Sequence, residues 1–113
     1  MKKSIGAFLA LSSLLAPQIA AAECGGGECH AVKISYMYVD SQAATWISTT
    51  GNESLLSCTP NQGSLLKVNP TDSKSDWLYT FLLTAHLQNL TVYVRLNPSL
   101  PECTVAYVTT GVL

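Results

Sequence analysis

The chain is poor in charge: Asp, Glu, Lys and Arg together make up 12% of its 113 residues. Its six basic side chains, Lys2, Lys3, Lys33, Lys67, Lys74 and Arg95, form no run beyond the first two. A protein that grips a phosphate backbone needs a basic face, so the sequence argues against nucleic acid as a partner. Catalytic signatures are missing as well, with no Gly-x-Ser-x-Gly, no His-Glu-x-x-His and no glycine loop of the kind that cradles phosphate. The seven acids are scattered through turns and element ends, away from the paired placement that general acid–base hydrolysis requires. These absences point to a chain that is not an enzyme. There is also no apolar run approaching the roughly 20 residues of a transmembrane helix.

The one sizeable apolar run is at the N-terminus. Met1-Lys2-Lys3 precedes an eleven-residue stretch from Ile5 to Leu15, then Pro17 and Ala20-Ala21-Ala22, which is the layout of a secretory signal peptide. Small residues at Ala20 and Ala22 place the cut before Glu23. Lipoprotein processing would need a small residue directly before Cys24, where Glu23 stands, so no membrane anchor is expected after cleavage. The expected organisation is a signal peptide over 1–22, a glycine-rich lead over 23–30 and one domain over 31–113. Removing the signal leaves 91 residues carrying four basic and seven acidic side chains, a formal charge of −3. The expected destination is the periplasm or the exterior.

All four cysteines, Cys24, Cys29, Cys58 and Cys103, fall in the mature part. In a small exported domain an even count points to disulfides, because the compartment is oxidising and the core alone is marginal. Three pairings are possible. Cys24 and Cys29 flank Gly25-Gly26-Gly27 and a loop able to turn back, while Cys58 and Cys103 adjoin expected strands, which favours Cys24–Cys29 and Cys58–Cys103. On this reading the second bridge, closing the longer loop, does more for stability, and residues 23–30 have little reason to pack.

Alternation over 31–39 predicts a half-buried strand with Val32, Ile34, Tyr36 and Tyr38 on the core face. Further strands are expected over 43–49, 55–58 and 64–68, separated by Asp40-Ser41-Gln42, Thr50-Gly51-Asn52 and Thr59 to Gly63. Residues 76–88 contain no Gly or Pro and are rich in Leu and Ala, so they predict a helix. Its broad apolar arc is Leu78, Tyr79, Phe81, Leu82 and Ala85, and its polar stripe is Asp76, Thr80, Thr84 and Gln88. Leu83 and Leu87 lie beside or within that stripe, and Trp77 lies near its other part. Those two leucines are the expected interface of a homo-oligomer. Strands over 90–96 and 103–112 follow, the last with Val105, Tyr107 and Thr109 sharing a side.

Strands before and after a single helix match an OB-fold, a small barrel whose helix falls between its third and fourth strands. The fold class expected is thus mainly β, an OB-like barrel with one helix before the last two strands. The run Ser75 to Ala85 followed by Thr91-Val92-Tyr93-Val94-Arg95, with a cysteine on each side, resembles the small exported proteins related to the B subunits of pertussis-like and subtilase-cytotoxin-like AB5 toxins. That resemblance implies an OB-fold protomer, a ring of copies and glycan recognition. It assigns no binding residue here.

Several constellations compete with simpler readings. Cys24-x-x-x-x-Cys29-His30 resembles a lengthened c-type haem attachment site, with His30 as ligand and Met37 as a second, but its glycine-rich setting offers no apolar pocket. A zinc site on the same three residues lacks a fourth ligand. No cofactor or metal is expected. His86 reads as a boundary core residue. Trp46, Trp77 and the tyrosines have faces suited to sugar rings; Tyr36, Tyr38 and Tyr93 are expected to fill the barrel, and Trp46 is the one candidate ligand contact. The functional expectation is an exported, non-enzymatic module that binds a glycan or a protein surface. The alternative is a monomeric periplasmic accessory protein.

Overall fold

Seven strands and one helix follow one another along the chain in the computed structural model, which describes residues 21–111. The expected signal peptide over 1–22 lies almost wholly outside the described residues. The strands are β1 (Glu23–Gly25), β2 (Glu28–Val32), β3 (Ile34–Val39), β4 (Thr45–Thr49) and β5 (Leu66–Val68). Helix α1 (Ser75–Leu87), β6 (Val92–Leu96) and β7 (Val105–Thr110) complete the set. The protein is therefore mainly β with its helix between β5 and β6, as the order of elements in the sequence leads one to expect.

Two antiparallel sheets form, with orders β1-β2-β6-β7 and β3-β4-β5. They join because β2 and β3 are one bent strand interrupted at Lys33, and because Lys67 in β5 donates its N–H to the Cys103 carbonyl at 2.8 Å just before β7. A parallel bridge between Lys67 and Thr104 marks this second seam. Read around the barrel, the neighbours are β3, β4, β5, β7, β6 and β2, the order of a five-stranded OB barrel with β1 added alongside β2. The bend is made at Ala31, which has φ 53° and lies within a register shift between Cys29 and Val32. An extra residue of this kind bends and twists its strand.

The core is filled from all sides by Val32, Ile34, Ile47, Leu66, Val68, Val92, Val94, Leu96 and Val105, with Leu78, Leu82 and Ala85 from α1. The helix buries only this narrow stripe. The Nδ1–H of His86 reaches the Ile34 carbonyl at 2.7 Å and ties α1 to the start of β3, which is the boundary position expected of it.

The structure corrects four local expectations. First, residues 23–30 do pack. Cys24 and Cys29 are directly paired across β1 and β2, form a disulfide, and are 3% and 0% exposed. Gly51 crosses so close that a Cβ there would lie 2.8 Å from the Cys24 sulfur. Second, Tyr93 is on the outer side of β6, between the inward Val92 and Val94, and on β3 Tyr36 and Tyr38 leave the core face. A register shift between Ile34 and Tyr36 swaps the facing of everything after it, because side chains alternate strictly along a strand. Third, Val105 is buried and Tyr107 is not, since another shift between Arg95 and Leu96 leaves Ala106 as the extra residue opposite them. Fourth, residues 55–58 make no strand: Glu53–Leu55 form a single 3-10 turn, started by Asn52, whose side chain accepts the Ser54 N–H.

The second disulfide joins Cys58 to Cys103, 45 positions apart. Both bonds are thus the ones favoured by the cysteine spacing.

Candidate functional site

The outer face of the β3-β4-β5 sheet carries a small apolar cluster of its own, separate from the barrel core. Ala44, Trp46 and Leu65 are buried in it and Tyr38 packs against it. The cause is the alternation of β4: Thr45, Ile47 and Thr49 point inward, so Trp46 and Ser48 point outward. Trp46 is opposed on one side by Tyr38 and on the other by Lys67, and the Lys67 ammonium lies 5.5 Å from the centre of its ring. Aromatic faces attract cations at this range.

The indole is also locked from its polar end. Its N–H donates to Asp40 Oδ2 at 2.9 Å, while Asp40 Oδ1 accepts the N–H groups of Gln42 and Ala44 at 2.8 and 3.0 Å. The turn after β3 is therefore wound around one carboxylate. The Trp46 donor is the main cause holding the Asp40 carboxyl below its ordinary value of 3.8, with the two backbone donors and the Lys67 charge acting the same way against some desolvation. Each of these donors favours the ionised form.

Above this fixed base lies a groove of about 390 Å³ lined by Tyr36, Tyr38, Ser48, Gln62, Ser64 and Leu65. Tyr36 is 55% exposed, and its ring is 5.7 Å from that of Tyr38 at a tilt of 51°. The Ser48 hydroxyl donates to the Ser64 carbonyl at 3.0 Å, which fixes one wall. The groove thus combines an exposed aromatic face, hydroxyls and an amide, all neutral.

The residues singled out from sequence are distributed as follows. Trp46 belongs to this face, but at 7% exposure it is the packed residue against which Tyr38 is set, with Tyr36 next to Tyr38, and not a free contact surface. Leu87 is 73% exposed and Leu83 half-buried. Trp77, at 79% exposure, extends the same outward side of α1, beside a shallow apolar cleft of about 390 Å³ that it lines with Phe81, Leu90, Thr80, Thr84 and Thr110. Asp76 is the only carboxylate on the helix, which has no Lys or Arg. The haem reading of Cys24, Cys29 and His30 fails because both sulfurs are consumed in a buried disulfide. His30 faces Glu23 instead, at 3.5 Å.

One buried carboxylate lies apart from these surfaces. Glu53 accepts the Thr49 N–H at 2.8 Å and the Thr49 hydroxyl at 2.7 Å, and Thr49 in turn stands 3.7 Å from the Cys24 sulfur. Its work is to pin the end of β4 under the β1–β2 hairpin. Among the described residues no three His, Cys, Asp or Glu side chains converge as a metal site, and no helix is long and apolar enough to cross a membrane. The two disulfides fit an oxidising compartment.

No protein-family model, no curated protein and no solved structure matches the chain.

Proposed function

We infer that the mature chain is an exported, non-enzymatic binding module that takes a saccharide ring into the Tyr36–Tyr38 groove and associates with further copies of itself through α1. The observation that carries the first part is the exposed Tyr36 ring beside Tyr38, which packs on the locked Trp46 cluster, with Ser48, Gln62 and Ser64 lining the same groove. A pyranose has an apolar C–H face and a rim of hydroxyls. An aromatic plate takes the face, and neutral donors and acceptors take the rim. The strand 2–3 face of OB barrels is a place where such ligands bind, and here that face is β4 and β5. The reading is of the same kind as the resemblance to toxin B subunits, without a toxin partner being part of it.

The second part is supported by Trp77 and Leu87, both mostly exposed on a helix with one carboxylate and no Lys or Arg. Like copies meeting there face little charge repulsion, and burial contributes roughly 1.5–3 kcal/mol per large apolar side chain before the cost of association. The double change Leu83→Lys with Leu87→Lys leaves Leu78, Leu82 and Ala85 in place, so a folded monomer is expected by sedimentation. A parent protein that is already monomeric at micromolar concentration overturns the self-association.

The saccharide reading is tested by binding of the mature, oxidised protein to a broad immobilised glycan panel. Binding that is lost in Tyr36→Ala is the expected result. A blank panel overturns it in favour of an accessory protein without a glycan ligand.

A further inference from the structure

The four-stranded sheet also has an outer face, and its residues are arranged in a way that sheet stability alone does not explain. Along β2 the outward side chains include Glu28 and His30, along β6 Tyr93 and Arg95, and along β7 Tyr107 and Thr109. Tyr93 and Tyr107 stack with ring centres 6.2 Å apart and planes 27° from parallel. Arg95 is opposed on one side by Glu28 and on the other by Tyr107. Directly opposed charges of opposite sign ordinarily pair across a sheet. Yet Glu28 is absent from the ion pairs closer than 4.0 Å among the described residues, as is Arg95.

The guanidinium lies instead over Gly27, where a Cβ would come 3.6 Å from its central carbon. Having no side chain, Gly27 leaves room for the group, whose central carbon and two terminal nitrogens would all lie 3.6–3.8 Å from such a Cβ. Glu28 faces the Tyr93 hydroxyl, and this contact is the main cause raising that phenol above its ordinary value, with desolvation adding and Arg95 opposing. The result is a charged donor and a charged acceptor side by side, next to a tyrosine plate of which Tyr107 is 49% exposed.

The geometry points to a second saccharide subsite on this face, for a neutral pyranose with vicinal hydroxyls. One hydroxyl donates to the Glu28 carboxylate, its neighbour accepts from the Arg95 guanidinium, and the C–H face rests on Tyr107. Hydrogen bonds to ionised groups are the stronger kind, which suits a shallow face that lacks an enclosing pocket. Neutrality follows from charge. Glu28 cancels Arg95, and Glu23 lies one strand further out, paired with His30, so a carboxylated or sulfated sugar would meet net repulsion. This subsite rests on the reading of the chain as a saccharide binder but uses none of the groove residues.

Two subsites on different sheets of one chain let a branched or multivalent glycan be held at two points, and a second tethered contact raises avidity by roughly 10²-fold or more. The test uses the mature oxidised protein labelled with nitrogen-15, titrated with the methyl glycosides of glucose, galactose, mannose and N-acetylglucosamine. Amide shifts at Tyr93, Arg95 and Tyr107 that persist in Tyr36→Ala, and that Arg95→Gln or Tyr107→Ala weakens roughly tenfold or more in affinity, are the expected result. If shifts occur only around Tyr36 and Ser48, this subsite is refuted while the groove reading stands. If they occur only around Tyr107, the subsite stands and the groove reading falls. Absence of shifts at both places refutes both. The conservative change Tyr107→Phe retains the plate and should retain binding, which separates stacking from a loss of fold.

Discussion

The two sheets of this barrel are fastened differently. The four-stranded sheet is held from within: the Cys24–Cys29 bond sits in the core, touched by Gly51 and Val32, and Thr49 with Glu53 closes over it. Its outer face carries pairs of polar and aromatic side chains with no apolar cluster beneath them. The three-stranded sheet has a second, smaller cluster on its outside, where Ala44, Trp46, Leu65 and Tyr38 are packed and Asp40 clamps the indole. The outer set packs Tyr38, and the exposed Tyr36 ring lies 5.7 Å from it at the edge of that cluster.

The comparison breaks first on the disulfides. On the chain-entropy estimate, opening Cys58–Cys103 by Cys58→Ala with Cys103→Ala should cost about 4 kcal/mol, and the Cys24→Ala, Cys29→Ala pair about 2 kcal/mol. Both cysteines of the shorter bond are buried, whereas in the longer bond Cys103 is buried and Cys58 half-buried, so loss of the shorter bond leaves the larger packing defect, by up to roughly 1 kcal/mol, which loop length does not count. Denaturant melts of both double variants should therefore lie within about 1 kcal/mol of each other. A short-bridge variant as stable as the parent would mean that the hairpin is only loosely attached.

A smaller effect is expected at the base of the groove. Trp46→Phe keeps an aromatic ring in the outer cluster but deletes the donor to Asp40, for a loss of about 1–2 kcal/mol in unfolding free energy. Saccharide affinity should fall with it, because Tyr38, the ring beside Tyr36, loses its fixed packing partner. Loss of stability with unchanged affinity would detach the cluster from recognition.

The turn around Asp40 gives this sheet one expected point of acid sensitivity. Its folded-state value is lowered below 3.8, so the ionised carboxylate contributes stability that is present above 3.8 and is lost as pH falls through the lower folded value. The melting-temperature advantage of the parent over Asp40→Asn should accordingly be full at pH 6 and shrink below pH 4. A gap that stays constant across that range would show that the carboxylate charge plays no part.

Much of this was legible in the sequence, and what was not has a common cause. The helix could be read because residues 75–87 lack Gly and Pro and recur at helical spacing. The cysteine pairs could be read because Gly25 to Gly27 allow a return between Cys24 and Cys29. The order of strands about the helix identified the barrel. What misled was facing. Tyr36, Tyr38 and Tyr107 alternate correctly with their neighbours, yet one-residue shifts at Ile34/Tyr36 and Arg95/Leu96 turn them outward. Such shifts depend on how a partner strand pairs, which local alternation does not encode. The burial of Trp46 likewise depends on Asp40 across a turn and on Lys67 from another strand. The packing of the lead depends on Gly51 and Thr49, far along the chain. Leu87 and Trp77 were legible as misplaced apolar residues because a helix face is periodic within itself.

The central claim is that the exposed Tyr36 ring, beside Tyr38 at the edge of the Trp46 cluster, is where a saccharide is held. The most direct measurement is calorimetric titration of a glycan found on the panel into the mature protein and into Tyr36→Ala. At 55% exposure the ring contributes little to the fold, so the variant should melt within about 0.5 kcal/mol of the parent. Affinity should fall roughly tenfold or more, the equivalent of about 1.4 kcal/mol or above. Equal affinity in parent and variant, with both equally folded, would contradict the account.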